Sequence, residues 1–331
     1  MEIISDLHTH THFSDGKWGP EELIEESYKK GINQISITDH NTINAIERAK
    51  KKAESIGVNF INGVEIDVKT EFEGEIFHNH ILGYNFDENK LNSFIEEIKK
   101  MNKKYFEKLI NNLKNFLRKK EFKFNESLIK IKENLDLNKI NTGEIIREEY
   151  LRKYKKNLST EEFSFVLENK FLGPEIIHRF IKNTLVENPL QITDKYPTTW
   201  KKVFSENFKE IFEDGREFYK NAVDTINALK NSRGVAILAH PFLDDLFWDY
   251  AKKEKYLRFI NFLIKNGLNG LEIYYYENDR YNKEEQERFN KVSKELCLKN
   301  NIISTYGSDC HGGQNIFLGK FGSDKIISFD Q

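Results

Sequence analysis

The chain has 331 residues, which is enough for one large α/β barrel with an insertion or for two domains. Hydrophobic residues make up 38% of the sequence and charged residues 31%, a composition typical of a soluble globular protein. The formal net charge of −2 argues against a general attraction to nucleic acid or to an anionic membrane.

Predicted strands and helices alternate in the first part of the chain. The predicted strands cover residues 3–7, 34–38, 58–66 and 76–84, and the predicted helices run from Pro20 to Gly31 and from Ile43 to Gly57. A proline in the first helical turn and a glycine at the end are typical helix boundaries. Strands separated by helices of about a dozen residues indicate parallel βα units.

The alternation is interrupted between Asp87 and about Gly215, where the sequence is mostly helical in pattern and rich in Lys, Glu, Asn and Phe. Because this segment contains almost no strand-like run, we expect a helical insertion. The alternation then resumes, with predicted helices at 218–230, 256–265 and 282–300 and predicted strands at 235–239, 270–275 and 302–308.

The two cysteines, Cys297 and Cys310, are far apart in the sequence, so we expect no disulfide framework and a reducing cytoplasm. The N-terminus lacks the basic start and apolar run of a signal peptide. No apolar stretch approaches the roughly 20 residues that a membrane helix needs. These features predict a cytoplasmic protein that does not contact a membrane.

Short motifs of histidines and acids follow the predicted strands. They are His8-Thr9-His10 with Ser14-Asp15-Gly16, Thr38-Asp39-His40, Gly63-Val64-Glu65, His78-Asn79-His80, His240-Pro241 and Ser308-Asp309-Cys310-His311. In a parallel α/β barrel the carboxyl ends of the strands meet at one rim, so we expect these residues to be neighbours. Imidazoles and carboxylates gathered in this way can hold a cluster of divalent metals.

The first and third motifs have the donor atoms and the geometry that metal binding requires. Alternate residues on a strand share a face, so His8 and His10 can reach one metal. A pair of surface or core histidines is the alternative, and the strand end and the nearby Asp15 disfavour it. The Glu65 carboxylate has two oxygens and can bridge two metals about 3.5–4 Å apart.

The second and fourth motifs are less specific. His40 is expected to face a metal, whereas Asp39 is expected to cap the following helix or to support a ligand. His78 and His80 repeat the spacing of alternate strand residues. We expect His80 to be the ligand, while His78 is equally consistent with a supporting and with a structural role.

The last motifs close two buried strands. His240 follows an apolar run and has few structural duties there, which favours a ligand. Asp309 and His311 share a face, with Cys310 between them as a packed small residue. Glu272, near the end of the strand between them, is a candidate supporting acid.

Taken together, the order of these motifs resembles the PHP (polymerase and histidinol phosphatase) family. The resemblance extends over about residues 1–86 and 218–315, and the motifs are specific jointly rather than singly. It implies a distorted (β/α)7 barrel, formed discontinuously by residues 1–86 and 218–331. It also implies that the helical insertion at 87–217 caps the active site.

The resemblance further implies two to three divalent metal ions, with Mn, Fe or Zn all compatible with mixed nitrogen and oxygen ligands. Each implied site takes residues from several motifs. The first is His8, His10, Glu65 and Asp309, the second is Glu65, His80 and His240, and the third is Asp15, His40 and His311.

Two segments, Ser14-Asp15-Gly16 and 80–84, are most similar to the branch of the family that acts on nucleotides. That branch includes nucleoside 3′,5′-bisphosphate phosphatases and a 5′-to-3′ exoribonuclease. The resemblance implies hydrolysis of a phosphate monoester in a small nucleotide or a short 5′-phosphorylated RNA, with Glu65, His240 and Asp309 as catalytic residues. Arg179 in the insertion is the implied phosphate contact, and no protein partner is expected.

Three other functions are compatible with the same motifs. One is a histidinol-phosphate phosphatase or another small-molecule phosphatase, and a second is a proofreading-type exonuclease. A third, from a different class, is a non-catalytic metal-binding scaffold, which the intact set of ligands argues against.

Overall fold

A computed structural model of the chain describes residues 4–118, 140–145, 147, 176–177, 180–181, 211, 215–241, 250–273, 283–312, 318–320 and 322–329. The described part has the predicted mixed α/β class. The chain divides into two compact units. One comprises Met1–Lys99, Asn169–Phe171 and Tyr219–Gln331, and the other comprises Lys100–Glu168 and Leu172–Phe218.

The described strands form one seven-stranded sheet, whose spatial order follows the sequence from β1 to β7. They are β1 Ser5–Asp6, β2 Gln34–Ile37, β3 Asn59–Phe72, β4 Glu75–Tyr84, β5 Val235–Leu238, β6 Gly270–Glu272 and β7 Ile303–Thr305. The first three strands pair in parallel, and so do the last three. The carboxyl ends of these parallel strands therefore point the same way within each group.

Strand β4 departs from the predicted pattern, because it runs antiparallel to both β3 and β5. Only Glu73 and Gly74 separate β3 from β4, and both have a positive φ, of 48° and 73°. A two-residue connection makes a hairpin, whereas a parallel crossover needs a dozen or more residues. The expectation of parallel βα units was therefore wrong at β4.

Along the sequence, helices connect every pair of neighbouring strands except β3 and β4. They are α1 Pro20–Lys29, α2 Ile46–Ile56, α3 Glu88–Arg118, α4 Ala222–Asn231, α5 Tyr250–Lys265 and α6 Lys283–Asn300. The start of α4 is four residues later than predicted, because the Asn221 side chain caps the helix by accepting from the Asp224 backbone N–H at 2.9 Å. Within the described residues, no helix is both long and apolar enough to cross a membrane.

Backbone contacts link the two ends of the sheet. The Leu7 backbone N–H donates to the Tyr306 carbonyl at 3.1 Å, and Thr9 forms a parallel bridge with Cys310. Gly307 permits this close approach, because a Cβ at that position would lie 2.2 Å from the Cβ of His8. The segments that carry the first and last histidine motifs are therefore side by side.

Alternation along β3 separates the core from the polar face. Val64, Ile66 and Val68 are buried in the largest hydrophobic cluster of the described residues, which also includes residues of α4 and α5. Since successive strand residues point to opposite faces, Glu65 and Asp67 lie on the other side of the sheet. The apolar packing of one face thus fixes the carboxylates of the other.

Candidate metal centre

The structure brings all nine predicted metal ligands together. His8 and His10 follow β1, His40 follows β2, and His240 follows β5, while Asp309 and His311 follow β7. The imidazole rings form a continuous group. Neighbouring centroids are 5.1 Å apart for His8–His10, 4.8 Å for His10–His40, 4.5 Å for His10–His311, 5.1 Å for His40–His80 and 5.0 Å for His80–His240. Motifs scattered over more than 300 residues of sequence therefore meet at one place.

Glu65 lies at the centre of this group and is only 1% exposed. Its Oε2 is 3.2 Å from the Nε2 atoms of both His8 and His10. Its Oε1 is 2.8 Å from Nδ1 of His80 and 3.2 Å from Nε2 of His240. The two oxygens of one buried carboxylate therefore face two different pairs of histidines.

Among the described residues, three groups of donor atoms are compact enough to hold a metal ion, with all atoms of a group within 4.8 Å of one another. They are His8, His10, Glu65 and Asp309; His10, Asp15, His40 and His311; and His40, Glu65 and His80. The first group equals the first implied site. The second contains the third implied site and adds His10, and the third shares Glu65 and His80 with the second implied site.

Donor spacing in the first group fits a bound ion. Metal–ligand distances of about 2.0–2.2 Å put neighbouring donors roughly 3.0–3.5 Å apart. Asp309 Oδ1 lies 2.9 Å from His10 Nε2 and 3.4 Å from His8 Nε2, close to that range. The buried His10 Nε2 has no partner with hydrogen-bond geometry despite these short distances. Because His10 Nε2 points between the carboxylates of Glu65 and Asp309, it is better placed to bind a cation shared with them than to donate a hydrogen bond to either.

The charges of the groups are strongly interdependent. Burial alone would raise the pKa of Glu65, but the neighbouring His40, His8 and His80 outweigh it and hold that pKa well below its usual range. Burial alone would lower the pKa of His10, but the close carboxylates of Asp309 and Glu65 raise it to about 9. The carboxylates therefore favour positive charge at the histidines, which protons or metal ions can supply.

Two predicted supporting acids contact the site from outside. Glu272 is fully buried, and its carboxylate lies 2.9 Å from His8 Nδ1 and accepts from the His240 backbone N–H at 2.8 Å. Asp39 accepts from the Thr11 backbone N–H at 2.7 Å and from the Ser14 hydroxyl at 2.6 Å. It therefore holds the loop that carries Asp15, and its contacts are with that loop rather than with a helix end.

Asp67, which was not among the residues predicted from the sequence, is buried beside the predicted ligands. Its Oδ1 lies 2.9 Å from His40 Nδ1 and 3.4 Å from His80 Nε2, and its Oδ2 accepts from Asn41 Nδ2 at 2.9 Å. The signal was present, because Asp67 is two residues after Glu65 on the same strand and so shares its face. It was overlooked because strand β3 was predicted to end at residue 66.

Asp6 was also missed, and it joins the two ends of the sheet. It is fully buried and accepts from the Ser308 hydroxyl at 2.6 Å, the Ser308 backbone N–H at 2.9 Å and the Gly319 backbone N–H at 2.8 Å. These bonds hold the loop before Asp309 against β1. The signal in the sequence was an acid two residues before His8.

Backbone conformation is unusual at two of the predicted ligands. His240 and Asp309 have φ values of 24° and 51°, in the left-handed region that most side chains avoid. Such strain persists only where the surrounding structure imposes it, and it is concentrated at functional sites. Both side chains are partly exposed, at 15% and 22%, on a site whose centre is buried.

Some candidate residues lie elsewhere. His78 is exposed, and its ring is 5.8 Å from that of His80 and 5.4 Å from that of Tyr219. His12, which belongs to none of the metal-binding motifs, packs edge-on against Phe13. The predicted phosphate contact Arg179 lies outside the described residues.

Comparison with known proteins gives both family and fold relatives. Residues 6–168 match the family model described as the PHP domain. The chain is 37% identical over 101 residues to a 5′-3′ exoribonuclease of Haemophilus influenzae, covering 30% of this chain and 35% of that protein. It is 35% identical over 63 residues to a 3′,5′-nucleoside bisphosphate phosphatase of Chromobacterium violaceum, covering 19% and 22%. The matches therefore span about a third or less of these relatives.

A solved structure from Bifidobacterium adolescentis, provisionally described as a metal-dependent phosphoesterase, has a similar fold. The TM-score is 0.60, and the match covers 97% of this chain and 92% of that one. At 20% sequence identity, this likeness establishes the fold alone.

Proposed function

Because the chain contains a PHP domain, as its motifs predicted, we propose that it is a metal-dependent phosphoesterase that hydrolyses a phosphate monoester of a nucleotide. The observation that carries this proposal is the position of Glu65. A buried carboxylate whose two oxygens face different histidine pairs is suited to bridge two metal ions. Two-metal sites of this kind catalyse in-line displacement at phosphorus.

The proposed ligands form three sets around this bridge. They are His8, His10, Glu65 and Asp309; Glu65, His80 and His240; and Asp15, His40 and His311. The donors are imidazole nitrogens and carboxylate oxygens, which are compatible with Mn²⁺, Fe²⁺ or Zn²⁺. Bound ions would supply Lewis acidity, which lowers the pKa of water and offsets charge on the phosphoryl oxygens.

The protein's own residues would orient the substrate and move the proton. His240 and Asp309 are the candidates for protonating the leaving alkoxide, because both are partly exposed at the edge of the buried centre. Glu272 would keep His8 and His240 in position from behind. Arg179 remains the proposed contact to a phosphate oxygen.

The nucleotide substrate is supported by two relatives that this chain matches in sequence. Those relatives are named a 5′-3′ exoribonuclease and a 3′,5′-nucleoside bisphosphate phosphatase. We propose that the substrate of this chain is a nucleoside 3′,5′-bisphosphate or a short 5′-phosphorylated RNA. We also propose that residues 1–86 and 218–331 form a distorted (β/α)7 barrel in a cytoplasmic enzyme, with 87–217 as the capping insertion.

Phosphate release by the purified protein tests this proposal. With Mn²⁺ added, release should be faster from adenosine 3′,5′-bisphosphate or 5′-phosphorylated RNA than from histidinol phosphate. Glu65→Gln should lower the rate by about a hundredfold or more, because it removes the bridging charge. Glu71→Gln on the same strand is the matched control, since Glu71 is exposed and should tolerate the change.

The outcomes separate the alternatives. Faster release from histidinol phosphate would show that the substrate is a small phosphorylated molecule rather than a nucleotide. Metal binding without release from any phosphate ester would instead support a scaffold, and a near-normal rate in Glu65→Gln would contradict the bridging role.

A further inference from the structure

The face of β3 and β4 that carries Glu65 and His80 continues outward to a cationic and aromatic cluster. We propose that Lys69, His78 and Tyr219, here called the outer subsite, bind a second phosphate group of the substrate. This inference rests on the proposed phosphoesterase function. It names the residues that would bind the part of the substrate beyond the hydrolysed bond.

Strand register sets the position of the outer subsite relative to the metal centre. Lys69 pairs with His78, and the next pair inward on the same face is Asp67 with His80. Residues two apart on a strand are separated by roughly 6.6 Å, so the outer pair lies one step beyond the inner pair. In the inner pair, His80 Nδ1 lies 2.8 Å from Glu65 Oε1. The step from the inner to the outer pair is comparable to the spacing of successive phosphates along a nucleic acid chain.

The segment before α4 places Tyr219 against the outer pair. Val68 forms a parallel bridge with Lys220, and the Lys69 backbone N–H donates to the Lys220 carbonyl at 3.0 Å. Lys69 Nζ then lies 4.4 Å from the centroid of the Tyr219 ring, and the His78 ring stands edge-on to it at 5.4 Å. The cation–π contact positions the ammonium, so less conformational entropy is lost when it binds a ligand.

The chemistry of the outer subsite favours an anion. An ammonium donates three hydrogen bonds and accepts none, and an imidazole can donate one. Lys69 is half-buried and His78 is exposed, so a ligand can reach both. The acid between the outer subsite and the metal centre, Asp67, is buried and turned toward His40 and Asn41. A phosphate dianion is therefore the ligand that this arrangement fits best.

Replacing the lysine is the primary test. Lys69→Met removes the ammonium but keeps the length of the aliphatic chain. The KM for adenosine 3′,5′-bisphosphate should rise at least about tenfold, the effect of losing one charge-assisted hydrogen bond, while kcat changes little. The KM for para-nitrophenyl phosphate, which carries one phosphate, should stay unchanged, and so should the Mn content of the protein.

Neighbouring residues supply matched controls. Lys220→Met removes the next lysine, whose Nζ pairs with Glu97 at 2.6 Å, and should leave both KM values unchanged. Tyr219→Ala removes the ring that positions Lys69 and should weaken bisphosphate binding in the same direction as Lys69→Met.

The outcomes separate this inference from the proposed function. Equal KM values for the bisphosphate in Lys69→Met and in the unmodified protein would overturn the subsite while leaving the phosphoesterase intact. If no substrate releases phosphate, the proposed function fails, and calorimetric titration of the Mn-loaded protein with adenosine 3′,5′-bisphosphate then tests the subsite alone. Equal affinity in the two proteins would again overturn it.

Discussion

At the scale of single residues, two imidazoles of the site are each held between two carboxylates. His40 presents Nε2 toward Glu65 and Nδ1 toward Asp67, and His80 presents Nδ1 toward Glu65 and Nε2 toward Asp67. A carboxylate on the far nitrogen fixes the ring orientation and the tautomer, and it increases the basicity of the near nitrogen. Asp67 is therefore placed to prepare both rings for a metal without binding it.

Substitutions of Asp67 test this positioning role. Asp67→Asn keeps one oxygen that can accept from His40, whereas Asp67→Ala keeps none and leaves that N–H unsatisfied in a buried place. We expect metal affinity to fall about 10–100-fold in the alanine variant and less in the asparagine variant. Equilibrium dialysis with Mn²⁺ measures this order, and equal affinity in the two variants would show that the carboxylate does not orient the rings.

The same residues show how much of the site could be read from the sequence. Histidines and acids in short motifs are recognisable by residue type and spacing, as His8, Glu65 and Asp309 show. Asp67 and Asp6 act through neighbours that are distant in sequence, such as His40 and Ser308. Their partners depend on strand register, which a local pattern does not contain.

At the scale of elements, the strand and helix order was predictable but one strand direction was not. The apolar patterns of β1 to β7 were recognisable because one or both faces of each strand are buried. The connection between β3 and β4 was predicted to be long because residues 67–75 are mostly polar, with Val68 and Phe72 as the exceptions. In the structure the strands fill most of it and leave only Glu73 and Gly74 as a turn. A strand whose polar residues face a functional site does not show the alternating hydrophobic pattern by which strands are predicted.

Close packing between β1 and β7 gives a prediction at this scale. A methyl group at Gly307 would lie 2.2 Å from His8 Cβ and 2.6 Å from its backbone nitrogen, so the two segments must separate. Gly307→Ala should therefore lower the free energy of unfolding by roughly 1–3 kcal/mol and weaken Mn²⁺ binding, because His8 and Asp309 move apart. Thermal unfolding and dialysis measure the two effects.

Gly19 offers a control for that substitution. A Cβ there would be 3.6 Å from its nearest neighbour, an ordinary contact, and Gly19 is the N-cap of α1. Gly19→Ala should therefore change stability by a smaller amount and leave metal affinity unaltered. Equal losses in the two alanine variants would contradict a specific contact between β1 and β7.

At the scale of the whole molecule, the candidate metal centre joins distant parts of the chain. The PHP match ends at residue 168, whereas His240, Asp309 and His311 come from beyond it. A metal ion bound by His8, Glu65 and Asp309 would cross-link the first, third and last parts of the sheet. Such an ion binds the folded protein only, so it should stabilise the fold by about 4 kcal/mol at a thousand times its Kd.

The size of that stabilisation should depend on pH. Although burial alone would lower the pKa values of His8, His10 and His40, neighbouring carboxylates raise them, to about 9 for His10. A raised histidine pKa stabilises the metal-free fold below its unfolded value of about 6.5, and this contribution is lost as the pH rises through the folded pKa. Metal ions require the neutral imidazole, so their binding strengthens over the same interval.

The difference in Tm between Mn-loaded and metal-free protein should therefore increase steadily from pH 6.5 to about 9. Groups that titrate away from the metal centre contribute equally to both Tm values, so their contribution cancels in the difference. Differential scanning calorimetry of protein loaded with Mn²⁺ and freed of excess ion measures it, with Glu65→Gln as the control in which the increase should shrink. A Tm difference that stays constant over this range would mean that protons and metal ions do not compete for the same histidines. The three proposed sets of metal ligands would then be wrong.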